Sequence, residues 1–358
     1  MPLDPSTPVR VGLIGYGLGG RVFHAPVVDA NPDMRLATIV TSSPERRALA
    51  EGRFTSTRVV DRVEELWERA DEHDLVIVCT PNVHHVSLGT AALQAGLHVV
   101  VDKPLAASVA DGRALAEAAA ERGLLLSVFQ NRRWDGDFLT LRRLVEQDAL
   151  GPVIRFESRF ERWRPERDDD AWRERGAPDE AGGLLWDLGS HLVDQAIQLF
   201  GRPTHVYAEV DLRRPGVEID DDVFVALTHP GGVRSHLWAS ATAAILGPRF
   251  RVLGMRGAFE KHGLDPQEAE LDGGARPEGA RWGTEPEERW GLLSDGSTER
   301  RVPTEAGDYP AYYRGIVEAL RTGADPPVDV RDSIEGLEVL EAARESSRTG
   351  SVVALPGP

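Results

Sequence analysis

Three side chains are suited to moving a proton at a carbinol carbon: Lys103, at the end of an apolar run, and Asp187 and His191, four positions apart. Lys103 follows Val99-Val100-Val101-Asp102 and precedes Pro104. A lysine that ends a strand is not a typical surface lysine, and its ammonium can donate to a hydroxyl and stabilise developing alkoxide character. Asp187 and His191 lie in WDLGSH (186–191). On a helix such a pair shares one face, with Cβ atoms about 5–6 Å apart. Histidine titrates near neutrality, and a carboxylate beside it fixes its tautomer or grips a substrate. Many Asp–His pairs only decorate a helix surface. Gly182, Gly183, Gly189 and Ser190 around this one favour a ligand-facing role, because small residues permit close approach.

A glycine string upstream offers a site for a redox cofactor. Gly15-Tyr16-Gly17-Leu18-Gly19-Gly20 fits G-x-G-x-x-G directly after the apolar VRVGLI. Gly15 allows the tight turn, Gly17 lets backbone approach a pyrophosphate, and Gly20 lets the next helix pack on the strand. The helix start adds free N–H groups and a positive dipole. The second strand ends at Thr41-Ser42-Ser43, with no carboxylate before Glu45 and with Arg46 and Arg47 close behind. An acid there would bond the ribose 2′-hydroxyl and repel a 2′-phosphate. Thr41, Ser42 and Arg46 therefore favour NADP(H) over NAD(H). Thr80, Pro81, Asn82 and His85 of TPNVHH follow another strand end and are expected to border the cofactor, as are Asp102, Lys103 and Asn131. Adjacent His84 and His85 seldom ligate one ion together, and no HExxH or CxxC string is present, so no metal is expected. The string RWRPERDDDAWRERG (162–176) reads equally as a sugar-pocket lining or as a charged surface loop, and Tyr309 and Tyr313 are candidate pocket residues.

These groups need a scaffold that gathers strand ends. VRVGLIG, MRLATIV, DLVIVCT, LHVVVDKP and LLLSVFQ are near-continuous apolar strands, the pattern of parallel strands buried on both faces. Helical RVFHAPVVDA, HVSLGTAALQAG and ADGRALAEAAAERG alternate with them, while RVVDRVEELWERA reads as an irregular stretch and helix. The alternation predicts an α/β chain whose residues 1–129 form a Rossmann-type, doubly wound parallel sheet. Beyond Gly151 the apolar residues alternate instead. Ile154, Phe156 and Phe160 share one face, as do Val206, Ala208 and Val210, and Pro230-Gly231-Gly232 marks a turn between two strands. Residues 130–330 are therefore expected to form a C-terminal α/β domain with a large, open, mostly antiparallel sheet. A helix around 184–200 would carry Asp187 and His191, and 265–300 would be an irregular excursion. The terminal helix and tail, 331–358, are expected to pack back on the N-terminal domain.

Composition narrows the partners. The 358 residues are 41% hydrophobic and 28% charged, enough apolar mass for two cores. A formal net charge of −17 repels phosphate backbones and anionic membranes, so neither nucleic acid nor membrane is an expected partner. Cys79 is the single cysteine, which gives no disulfide framework. MPLDPSTPVR has no apolar h-region, and no apolar stretch approaches the roughly 20 residues of a membrane span. A cytoplasmic location is expected.

The ordered set of glycine loop, TPN-x-x-H, an acid-Lys-Pro string and D-x-x-x-H resembles the Gfo/Idh/MocA family of nicotinamide-dependent oxidoreductases over nearly the whole chain. GYGLGGRVFHAP, LSVFQNRRWDGDFLT, DLGSHLVDQ and GPRFRVLGMRGAFEKHGLDPQ are similar to its NADP-type scyllo-inositol 2-dehydrogenase branch. The resemblance implies interconversion of a cyclic polyol or sugar hydroxyl with its ketone, Lys103, Asp187 and His191 as catalytic residues, and a homodimer or homotetramer built on the second sheet. Another sugar or keto-sugar, or a non-catalytic nucleotide sensor, is the alternative on the same fold. Two positions depart from the pattern: Asp102 stands where the family more often has glutamate, and Ser43 where an arginine would hold a 2′-phosphate.

Overall fold

The computed structural model describes residues 3–167 and 181–357. Strands β1 (Val9–Ile14), β2 (Met34–Val40), β3 (Arg58–Val60), β4 (Leu75–Val78), β5 (His98–Asp102) and β6 (Leu126–Phe129) form a wholly parallel sheet in the order β3-β2-β1-β4-β5-β6. Every residue of β4 is buried, as an apolar run sandwiched between helices must be. The helices are α1 (Ala25–Ala30), α2 (Pro44–Arg53), α3 (Glu64–Trp67), α4 (His85–Gln94) and α5 (Val109–Arg122). Their ends follow local chemistry. The Ser43 and Ser108 hydroxyls accept N–H groups of the first turns of α2 and α5, and α5 stops at left-handed Gly123. Residues 19–24 wind as a π-helix before α1, just ahead of Pro26, which has no N–H to give the ladder. The short strand β3 replaces part of the irregular stretch expected there; three residues are too few to show a period.

The second sheet contains β7 (Val153–Glu161), β8 (His205–Asp211), β9 (Asp222–Thr228), β10 (Arg234–Ser240), β11 (Phe250–Gly254), β12 (Ala258–Lys261), β13 (Gly291–Ser294), β14 (Glu299–Val302) and β15 (Val353–Ala354). Its order is β14-β13-β12-β11-β7-β10-β9-β8-β15, antiparallel everywhere except between β7 and β10. The remaining helices are α6 (Gly136–Glu146), α7 (Gly183–Asp187), α8 (Gly189–Phe200), α9 (Gln267–Asp272), α10 (Tyr309–Thr322), which packs on α1, and α11 (Val330–Thr349). Phe156, Phe160, Val225, Leu237, Ala239 and Val252 are buried on the helix-covered face, while Phe224, His236 and Trp238 on the other face are half-exposed. Ile154, expected with Phe156, is 48% exposed at the open start of β7. Residues 265–300 are not an irregular excursion: they hold α9, β13 and the start of β14. The charged string ERRV of β14 is exposed at three of four positions, so it shows no apolar alternation. The expected single helix at 184–200 is two, α7 and α8, joined at Leu188. Helix α11 touches α5 and β6 on one side and α8 and β8 on the other, so it spans both sheets.

Candidate active site

The strand order reverses between β1 and β4, and that is where the glycine loop lies. Gly15 leaves β1 at φ +101°, and its N–H donates to Val40 O at 3.0 Å. A Cβ on Gly15 would collide with Cys79 O, and one on Gly20 would collide with Gly15 O. Gly17 is different: the one heavy atom within 4 Å of a Cβ there is Arg46 Nη1, at 3.8 Å. The loop is therefore packed tight at its two ends and open in the middle, which fits the pyrophosphate of a dinucleotide. Tyr16 is buried edge-on to Phe54 at 6.4 Å between centroids, so only its backbone faces the loop, whereas Leu18 is 49% exposed.

At the end of β2, Thr41 is buried with its N–H on Val60 O at 2.9 Å, and Ser42 is exposed. The two arginines of α2 differ. Arg47 is committed to Glu51, Asp61 and Val59 O. Arg46 is exposed beside Gly17 and has no ion pair among the described residues. Glu45 is occupied by the Ser43 hydroxyl at 2.7 Å.

Buried His85 sits between the ends of β4 and β5, and as a neutral imidazole its one N–H donates to one of the two carbonyls at its ring nitrogens. Its Nδ1 lies 2.8 Å from Pro104 O and its Nε2 3.0 Å from Thr80 O. Burial pushes this imidazole below the usual histidine range. His85 is thus fully buried behind the strand ends, with both ring nitrogens facing backbone carbonyls. It also shares no ligand geometry with exposed His84. Thr80 is half-buried and Pro81 exposed, while buried Asn82 donates to Ala181 O at 2.8 Å, linking the β4 loop to the approach to α7. Asn131, just beyond β6, is buried.

Asp102 lies directly under the glycine loop: a Cβ on Gly19 would meet Cys79 Sγ at 2.5 Å and Asp102 Oδ2 at 2.8 Å. Its Oδ1 accepts the Lys103 N–H at 2.8 Å and its Oδ2 the Cys79 thiol at 3.3 Å, with His24 Nε2 at 3.8 Å. Burial opposes the charge on Asp102, yet His24 and Lys103 hold the carboxyl well below the usual carboxylate range. His24, whose Nδ1 is 2.5 Å from the Tyr313 hydroxyl, went unnoticed in the sequence. Among the described residues, His24, Cys79 and Asp102 also bring three ligand-type atoms within 4.8 Å of one another, a cluster that local spacing could not reveal.

Lys103 Nζ donates to Asp187 Oδ1 at 2.7 Å and to Asp187 O at 2.5 Å, so the ammonium is fixed at the end of α7. Asp187 is bonded to Lys103 across the two sheets, not to His191. The break at Leu188 takes His191 into the next helix, where its N–H meets Leu188 O at 3.2 Å. His191 is buried against the Phe160 ring, centroids 6.2 Å apart, and its Nδ1 has no hydrogen-bond partner among the described residues. A buried ring nitrogen of this kind fits a ligand hydroxyl. Burial first, then the Lys103 and Arg132 cations, keep the imidazole well below the usual histidine range and hence neutral. Helix α8 is pinned one turn later. Asp194 takes a two-pronged ion pair from Arg133 at 2.6 and 2.9 Å, and Gln195 bridges Arg132 O and Arg249. An aspartate inside the apolar LVDQAIQLF was the available signal for that anchor.

Tyr309 and Tyr313 do not line a pocket. Both are fully buried, the first bonded to Asp135 and Arg132, the second to His24. Of the string 162–176, residues 168–176 lie outside the described residues; Arg162 is half-buried and Trp163 is 57% exposed.

Residues 9–130 match the family model for the oxidoreductase-family NAD-binding Rossmann fold, and 142–355 that for the oxidoreductase-family C-terminal alpha/beta domain, both of Gfo/Idh/MocA type. The chain belongs to the Gfo/Idh/MocA oxidoreductase family. It is similar to the scyllo-inositol 2-dehydrogenase (NADP(+)) IolW of Bacillus subtilis, at 38% identity over 97% of this chain and 96% of that protein. The uncharacterized oxidoreductase YdgJ of Escherichia coli is 40% identical over 98% of this chain and 99% of its own. The solved structure of yvaA from Bacillus subtilis superposes with a TM-score of 0.93 at 36% identity, covering 99% of this chain and 100% of that one. The protein is thus an NAD(P)-dependent oxidoreductase, with the end of β5 joined through Lys103 to the end of α7, just before α8. No helix among the described residues is long and apolar enough to cross a membrane.

Proposed function

We propose that this Gfo/Idh/MocA protein interconverts a secondary hydroxyl of a cyclic polyol, best exemplified by scyllo-inositol, with its ketone, using NADP(H). The observation that carries the reading is the Lys103 ammonium, locked to Asp187 at 2.7 Å, with a buried neutral His191 in its electrostatic field. In the oxidation direction His191 takes the hydroxyl proton, and Lys103 polarises the oxygen that becomes the carbonyl. Asp187 holds Lys103 in line. With its pyrophosphate on the glycine loop, a bound dinucleotide would supply in its nicotinamide the acceptor for the departing hydride. The Lys103–Asp187 bond, which ties the end of β5 to the end of α7, fixes the geometry that makes the step effectively intramolecular.

For the cofactor, the hydroxyls of Thr41 and Ser42 and the Arg46 guanidinium beside Gly17, which has no ion pair among the described residues, suit a 2′-phosphate. The NADP(+) in the name of the IolW relative points the same way. For the substrate, that relative and the inositol 2-dehydrogenase of Rhizobium meliloti, 28% identical over 94% of this chain and 96% of its own, support an inositol. Absorbance of reduced nicotinamide, followed with NADP over a panel of inositols and linear sugars, tests the reading. Turnover confined to linear sugars would replace the polyol with a keto-sugar or aldose.

A further inference from the structure

The backbone continues straight past the end of β7. Arg162 N–H donates to Ser240 O at 2.8 Å, its carbonyl accepts the Ala243 N–H at 3.1 Å, and Trp163 bridges to Thr242. Side chains on an extended chain alternate between faces. Arg162 therefore follows Phe156, Ser158 and Phe160 on the helix-covered face, while Trp163 turns outward. Phe160 already touches His191, so the next position along that face lies toward the junction of α7 and α8. There the charges of Asp187, Glu268, Arg132 and Arg164 reach the Arg162 guanidinium.

Two other cations of the site are neutralised. Lys103 is paired with Asp187, and Arg132 with Glu268. Arg162 is half-buried and makes no side-chain hydrogen bond or ion pair among the described residues. Withdrawing a guanidinium from water without a partner is costly, and such groups point to a ligand. The guanidinium offers a planar fork of N–H donors, which matches two acceptor oxygens side by side. The polyol reading supplies those oxygens as a vicinal pair of hydroxyls, because Asp187 and Glu268 are already taken by Lys103 and Arg132 and do not themselves choose the charge of the ligand.

We propose that Arg162 is a substrate-binding residue that grips a vicinal pair of hydroxyls and so selects polyols over simple alcohols. The inference rests on the polyol reading above. Kinetics on scyllo-inositol, together with NADP affinity and melting temperature, should be compared for the wild type, Arg162→Gln and Arg162→Lys. Arg162→Gln should raise KM about tenfold to a hundredfold with kcat little changed, because a charged donor to bound hydroxyls is lost. Arg162→Lys should recover only part of this, since a point charge does not reproduce the fork. NADP affinity and melting should stay at wild-type values. An active wild type with an unchanged KM in Arg162→Gln overturns the role of Arg162 alone. A wild type that oxidises a sugar acid but no neutral polyol overturns the diol assignment and the polyol reading together. Loss of NADP affinity in step with the rise in KM also overturns the proposal, since it makes Arg162 a structural or cofactor-side residue.

Discussion

Burial and the neighbouring Lys103 and Arg132 cations make His191 a neutral base at physiological pH, and the direction of that shift has a kinetic sign. Oxidation requires the unprotonated imidazole. With the folded group held well below its ordinary range, the oxidative kcat/KM should stay flat as pH falls to about 6.5, where an unperturbed histidine would already be half protonated. The acid limb should appear only below that point, and ketone reduction, which needs the protonated form, should already be weakened at that pH. His191→Asn should lower kcat by about 10²- to 10⁴-fold and abolish that limb while leaving nucleotide affinity intact. An unchanged kcat in the variant removes His191 from the proton path.

Between the strand ends and His191, the element that sets alignment is α7, and its start depends on Gly183. That residue sits at φ +83°, and a Cβ there would collide with the Asp220 carboxylate. Asp220 in turn accepts the Leu185 N–H at 2.7 Å and the Leu184 N–H at 3.0 Å through its carbonyl, and burial pushes its carboxyl up to about 6. Gly183→Ala should destabilise the protein by about 1–3 kcal/mol through backbone strain and the displaced helix start. It should lower kcat more than Gly201→Ala, whose φ of +76° is similarly strained but whose Cβ would meet no atom within 4 Å. Equal kcat values in the two variants would contradict the positioning role of α7. At this scale the sequence was legible where a pattern is local. Apolar runs marked β1, β2, β4, β5 and β6, alternation marked β8 and β9, and glycines marked the cofactor loop. It was opaque where pairing crosses elements. The helical period runs unbroken through WDLGSHLVDQ, which hides the break at Leu188. Spacing alone suggested an Asp187–His191 bond where the fold supplies Lys103–Asp187. The buried positions of His85, Tyr309 and Tyr313 likewise depend on what packs over them, which no local string records.

Over the whole molecule, the covered face of the second sheet serves the site, and its other face is left with half-exposed Phe224, His236 and Trp238, the last under the Arg159 guanidinium at 4.0 Å. We propose that this aromatic patch packs against a second copy of the chain, its apolar burial working against the repulsion between two chains of net charge −17. Sedimentation at micromolar concentration should give a dimer or tetramer that Trp238→Glu shifts toward monomer; a monomeric wild type would contradict an interface there. The dinucleotide loop on one sheet and His191 beside the other become an enzyme only if one ligand set bridges them. The most direct test mixes the protein with scyllo-inositol and either NADP or NAD and follows reduced nicotinamide. A clear rate with NADP and little with NAD is the predicted result. No rate with either, despite measurable nucleotide binding, would contradict the account.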